Sequence, residues 1–221
     1  MPSKAPRAQR MVIPGPAGAL EALLEIPEQH DAGHFGVVCH PHPLYGGTLE
    51  NKVVHTLARA FQELGAPTLR FNFRGVGDSG GEFDQGRGEV EDALAVVAQG
   101  RHLFPGAALW LAGFSFGGAV AVSSAARAHP ERLVLVAPGV TLLNVGNAAP
   151  PCPWLIVQGD ADDVIEPKYV LDWAASVAHP SQAHPQPQIR VLPGAGHFFH
   201  GRLHELRAAV LTFLRAGTTQ N

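Results

Sequence analysis

The stretch Ala108-Leu-Trp-Leu-Ala-Gly113-Phe-Ser115-Phe-Gly117-Gly118 sets the reading of the whole chain. An apolar run enters a G-x-S-x-G sequence, and a segment rich in alanine and valine follows it. This order predicts a strand, a sharp turn and a helix. A serine on such a turn has a strained backbone, and the residues two positions away crowd it. Glycine at 113 and at 117 removes the side chains that would clash. The turn also sets the hydroxyl beside a helix N-terminus, where the dipole favours developing negative charge. The competing reading is a Gly-rich connection whose serine only caps the helix.

Outward from this point, short apolar runs alternate with helical patterns. Residues 11–13 and 20–26 flank Pro-Gly-Pro-Ala-Gly and predict an antiparallel hairpin. Strands are predicted over 35–39, 68–73, 108–112, 133–137, 154–158 and 188–192. Helices are predicted over 51–64, 89–97, 117–127, 167–177 and 201–214, the fourth opening on a proline. Alternation of this kind implies right-handed crossovers and a mostly parallel sheet with helices on both faces. Ligands of such sheets bind beyond the carboxyl ends of the strands.

The loops at those ends carry the candidate chemistry. A serine hydroxyl is too weak an acid to attack unaided and needs a base held by an acid. Gly159-Asp160-Ala161-Asp162-Asp163-Val164 follows one predicted strand, and Pro193-Gly194-Ala195-Gly196-His197 follows the last. The order is serine, acid, histidine, which is the order expected for this kind of turn. Ser115 is the candidate nucleophile and His197 the base. Asp162 is favoured as the acid, with Asp163 second and Asp160 third; the two not used are expected to cap turns.

An oxyanion needs two donors. The Phe116 N–H, directly after the nucleophile, is one. The second is expected from His40-Pro41-His42-Pro43-Leu44-Tyr45-Gly46-Gly47. Pro41 and Pro43 have no N–H, so His42 is chosen, with Leu44 in reserve. Leu44, Tyr45 and Phe198 are the expected substrate-binding side chains. Phe114, Phe116 and Phe199 could also line the site, or simply pack the core. A metal held by His40 and His42, or by His200 and His204, lacks a third ligand near in sequence, so no metal and no cofactor is expected. Gly75-Val-Gly77-Asp78-Ser79-Gly80 matches G-x-G-x-x-G, but no helix opens at once and acidic residues follow, against a dinucleotide site. Arg74 is expected to pair with a carboxylate and hold that loop.

Composition excludes several classes. The 221 residues are 46% hydrophobic and 16% charged, against a usual charged share of about 25%. Disorder requires charge to outweigh apolar content. Lys+Arg total 16 and Asp+Glu 19, a net charge of −3, so the basic field that nucleic acids require is missing. No apolar run approaches the roughly 18 residues of a spanning helix, and the basic start lacks the apolar segment of a secretion signal. Residues 1–10 are expected to be a flexible tail, 11–215 one α/β domain and 216–221 a second tail. Cys39 and Cys152 are expected to be buried thiols in a reducing, cytoplasmic setting. No membrane or nucleic-acid partner is expected, and oligomeric state is not predicted.

Taken together, HPHPLYGG (40–47), RFNFRGVGDSGGEF (70–83), GFSFGG (113–118), GDADDV (159–164) and GAGH (194–197) resemble the α/β-hydrolase superfamily. The likeness is greatest to its small, lidless bacterial hydrolases and esterases. It implies a sheet of about eight strands with a leading antiparallel strand, and the triad Ser115, Asp162 and His197. Many relatives carry a cap between the strand after the nucleophile helix and the strand before the acid. Here only residues 138–153 fill that gap, so no cap domain is expected. The expected function is serine hydrolysis of a small carboxylic ester or thioester through an acyl-enzyme. A peptidase or amidase with the same triad, and a catalytically silent binding module, are the alternatives.

Overall fold

Doubly buried apolar runs, rather than alternating ones, dominate the centre of the chain, and they build one sheet. In a computed structural model, residues 6–31, 33–146, 149–177 and 185–218 are described. Their strands are β1 (Arg7–Gly15), β2 (Gly18–Ile26), β3 (His34–Cys39), β4 (Thr68–Phe71), β5 (Ala108–Phe114), β6 (Arg132–Val136), β7 (Trp154–Gly159) and β8 (Gln188–Leu192). The sheet order is β1-β2-β4-β3-β5-β6-β7-β8. β1 and β2 pair antiparallel, β2 meets β4 antiparallel, and every pairing from β4 onward is parallel. This is the mostly parallel architecture that the alternation predicts.

Helices cover both faces: α1 (Lys52–Glu63), α2 (Arg87–Leu103), α3 (Phe116–Ala128), α4 (Pro167–Val177) and α5 (Leu203–Thr218). Side chains alternate across a strand, and β5 shows the result. Leu109 and Leu111 join the core beneath α2, α3 and α4. Trp110, Ala112 and Phe114 join the opposite core beneath α1 and α5. With both faces covered, the central strands are apolar at nearly every position, which explains the continuous runs. α1 starts where the Asn51 side chain accepts the N–H groups of Val53 and Val54, a side-chain cap.

Two boundaries correct the expectations. The segment 1–10, expected as a flexible tail, enters the sheet at Arg7, which pairs with Ile26. Ladder bonds are made by backbone, and polar or charged side chains suit an exposed edge strand. At the other end α5 continues to Thr218, past the expected limit of 215. A single glycine at 217 weakens a helix by about 1 kcal/mol, too little to end one anchored by earlier packed turns. Cys39 and Cys152 are buried free thiols, and burial pushes the Cys152 pKa up to about 12. No helix of the described residues is long and apolar enough to cross a membrane.

The loop after β4 is fixed by a buried ion pair. Arg74 Nε and Nη2 donate to Asp92 of α2 at 3.0 and 2.8 Å, and the Arg74 N–H donates to the same carboxylate at 3.0 Å. Asp92 is fully buried, so removing its cation strands a charge. Arg74→Met is expected to cost about 3–5 kcal/mol in urea unfolding. Adding Asp92→Asn, which keeps an acceptor for the backbone N–H, should recover most of that loss. Equal stability of the single variant and the parent would mean that the pair does not hold the loop.

Candidate active site

Ser115 stands between the end of β5 and the start of α3 with φ 56° and ψ −121°. Positive φ is costly for a residue with a side chain, and strain of this kind collects at functional sites. Flanking glycines make the turn possible. A β-carbon at Gly113 would collide with the Gly117 carbonyl, and one at Gly117 would collide with the carbonyls of Cys39 and His40. Ser115 occupies the N-cap position of α3, yet its hydroxyl makes no capping bond. The hydroxyl is instead 3.0 Å from His197 Nε2. The capping reading of this serine therefore fails.

The imidazole is held from its other side. His197 Nδ1 lies 2.8 Å from Asp162 Oδ2. The same oxygen accepts from Gln158 Nε2 at 3.0 Å, and Asp162 Oδ1 accepts the N–H groups of Val164 and Ile165 at 3.0 and 2.8 Å. Burial raises the Asp162 pKa, but the bonds from His197 and the backbone outweigh it, and the net shift is downward. The carboxylate is thus held charged against the imidazole. Ser115, Asp162 and His197 are 4, 6 and 4% exposed, so this chain of bonds is largely shielded from water. Phe114 and Phe198 flank the imidazole ring, at centroid distances of 4.9 and 5.1 Å.

Backbone contacts lock the acid loop to the histidine loop. A β-carbon at Gly159 would collide with the Ala195 carbonyl. The Ala161 N–H donates to that carbonyl at 3.1 Å, and the Gly194 N–H donates to Asp160 Oδ1. Asp160 thus braces the acid loop against the histidine loop, a bond across 34 residues rather than the local turn cap expected of a losing candidate. Asp163 is exposed and lines an adjoining groove with Asp162, Glu166 and Tyr169.

The loop after β3 has a buried support. His40 is fully buried; its Nδ1 bonds the Pro41 carbonyl at 2.6 Å, and its Nε2 accepts the Phe73 N–H at 3.0 Å. An acceptor at Nε2 requires the neutral ring with its proton on Nδ1. Both ring nitrogens are thereby committed, which leaves none for a metal. Between the two candidates for second oxyanion donor, the Leu44 N–H is already used on His42 Nδ1 at 3.2 Å. The His42 N–H has no hydrogen-bond partner among the described residues. Phe116 is the first residue of α3, where N–H groups have no acceptor within the helix.

A pocket of about 330 Å³ opens on this chain of bonds, lined by Pro41, His42, Tyr45, Ser115, His197 and Phe198, with Leu142, Val164 and Ile165 closing another side. Tyr45 and Phe198 are where substrate-binding residues were expected. Leu44, on the same 3₁₀ turn as Tyr45, is not in the lining. Phe114, Phe116 and Phe199 are buried core residues. Sequence reasoning missed Leu142, Ile165 and Gln158. The signal for Gln158 was a polar residue inside the apolar run Trp154–Gly159. Between β6 and β7 the described residues hold no helix or strand.

Comparison with known proteins bears on the family and the fold. A family model described as serine aminopeptidase, S33, matches residues 44–152, which include Ser115 but stop short of Asp162 and His197. An uncharacterised protein of Rickettsia prowazekii (strain Madrid E) is 34% identical over 207 residues, covering 90% of this chain and 86% of that protein. The crystal structure of XC6422 from Xanthomonas campestris, a member of the α/β serine hydrolases without a lid, is 38% identical with a TM-score of 0.87, covering 98% of this chain and 97% of that one. An α/β serine hydrolase homologue from Coxiella burnetii is 42% identical with a TM-score of 0.85, covering 93% of this chain and 97% of that one. The chain belongs to the α/β-hydrolase superfamily, with the serine hydrolases that lack a lid.

The buried His40 makes stability depend on pH. Burial pushes its pKa down from 6.5 to about 4. The unfolded ring binds a proton first, so its contribution is complete above about 6.5 and is lost as pH falls towards 4. Over that window the loss should be about 3 kcal/mol. His42 and His55, also shifted downward by burial, act in the same sense. Urea midpoints measured between pH 7 and pH 4 should therefore fall more steeply for the parent than for His40→Gln. Parallel curves would contradict a neutral, buried ring at 40.

Proposed function

We propose that this serine hydrolase cleaves small carboxylic esters or thioesters through an acyl-enzyme. The observation that carries the proposal is the continuous bond chain from Ser115 Oγ through His197 to Asp162, at 3.0 and 2.8 Å. In this reading Ser115 Oγ attacks the carbonyl carbon while His197 Nε2 takes its proton. Asp162 holds the ring with its Nδ1 proton inward and stabilises the imidazolium. The Phe116 and His42 N–H groups receive the charge that develops on oxygen. His197 then protonates the departing alkoxide or thiolate. Water attacks the acyl-enzyme with His197 as base again, releasing the acid and restoring the serine. No step calls for a cofactor.

The pocket supports a small, apolar acyl group. Its volume of about 330 Å³ lies at the lower end of ordinary ligand sites, roughly 300–1,000 Å³. Its walls are Tyr45, Leu142, Val164, Ile165 and Phe198, all but Ile165 open to solvent. A second reading, amide or peptide cleavage, is favoured by the family description as serine aminopeptidase. The two differ in the leaving group: an amine must be protonated as it departs, an alkoxide much less so.

Ser115→Ala should abolish turnover of a short acyl ester and labelling by a fluorophosphonate while leaving the unfolding midpoint close to the parent. Retained turnover would remove the nucleophile assignment. Asp162→Asn should lower kcat by about 10³–10⁴-fold, because the imidazole loses its orienting anion. Asp163→Asn, on an exposed carboxylate, should stay near the parent. The reverse ranking would move the acid by one residue. Matched amides turned over as fast as the esters would favour the peptidase reading.

A further inference from the structure

Gln158 is the feature of the site that the mechanism above leaves unexplained. It is the penultimate residue of β7 and fully buried. Its Nε2 faces three acceptors: Asp162 Oδ2 at 3.0 Å and the carbonyls of Gly159 and Ile165 at 3.2 and 3.3 Å. Its Oε1 has no hydrogen-bond partner. Turning the amide over would set a carbonyl oxygen against a carboxylate and two carbonyls, so the chemistry of the neighbours fixes the orientation. A buried acceptor without a partner is unfavourable, and an apolar side chain would avoid it. The rest of β7 is apolar or glycine. Packing alone therefore does not account for an amide here.

We propose that Gln158 is a positioning residue for the hydrolase reaction, resting on the triad reading above: its amide N–H shares Asp162 Oδ2 with His197 Nδ1, fixing the carboxylate and dividing its charge. Two donors then meet on one oxygen, while Val164 and Ile165 hold the other. With the Gln158 donor present, Asp162 holds the imidazolium less tightly than it would with His197 alone. Without it, the carboxylate is freer to rotate and gives its full charge to the ring. The titratable group in contact with Asp162 is His197. Asp163 and Glu166 line the neighbouring groove, and no lysine or arginine among the described residues pairs with Asp162.

The test compares the parent with Gln158→Met, which keeps the side-chain length but removes the donor and the unpartnered oxygen. Turnover of a short acyl ester and the rate of fluorophosphonate labelling are followed from pH 5 to pH 9. The expected result is a kcat lower by about tenfold, the loss of one modest hydrogen bond, with KM within about twofold. The acid limb of kcat/KM should move to higher pH, since the imidazolium is then held more tightly. A purely structural role would lower the amount of active protein and leave that limb in place. A limb that superimposes on the parent overturns the proposal, whatever the rate. Gln158→Glu, which replaces the donor by a second acid beside Asp162, should be less active than Gln158→Met at neutral pH; equal or greater activity would also overturn it. If the parent neither turns over the ester nor labels at Ser115, the triad reading fails and this proposal fails with it. An active, labelled parent beside an unchanged Gln158→Met profile removes only Gln158.

Discussion

The site depends on how closely two backbones approach. The carbonyls of Cys39 and His40, at the end of β3, press against Gly117 at the start of α3 so tightly that no β-carbon fits. That contact places the His42 loop beside the strained Ser115 turn, where both line one pocket. A matching contact, Gly159 against the Ala195 carbonyl, brings the Asp162 loop to the His197 loop. Four loops from four strand ends are thus joined in two pairs by glycines that serve contact rather than flexibility. The rim is thereby tied down at two points, which suits a reaction that needs its groups held within a fraction of an ångström.

Much of the polar machinery under the rim is structural. His40 ties the Pro41 carbonyl to the Phe73 N–H as a neutral ring, so it braces the loop after β3 against the loop after β4. Arg74 and Asp92 then fasten that second loop to α2. Farther out, Glu21 accepts from Arg10, Asn72 and the Asp78 N–H, tying the leading hairpin to the same loop. The Arg70–Gly81 stretch, which carries a dinucleotide-like glycine pattern, is therefore a scaffold. Its two arginines are spent on carboxylates elsewhere in the fold, Arg70 on Glu25 and Glu50 and Arg74 on Asp92.

The central sheet was legible because both its faces are covered, so strands such as β5 and β7 read as unbroken apolar runs. The serine turn was legible because its geometry demands glycine at fixed offsets. Choosing Asp162 among three aspartates rested on its offset from the strand end, and the structure sets Asp162 alone of the three against His197. What stayed hidden had physical reasons. The start of β1 at Arg7 carries no apolar signal, since an edge strand needs only backbone partners. Leu44 and Tyr45 are adjacent and both exposed, yet of the two only Tyr45 borders the pocket. No local pattern reports that difference. Gln158 was visible only as a polar residue out of place.

The short connection between β6 and β7 has a consequence for selectivity. Enzymes that fold a segment over their ligand can spend the energy of that movement on telling similar molecules apart. Here the wall of Tyr45, Leu142, Val164 and Phe198 faces outward and meets whatever arrives. Discrimination then falls to side-chain fit, which is worth only about 10–200-fold for each methylene gained or lost.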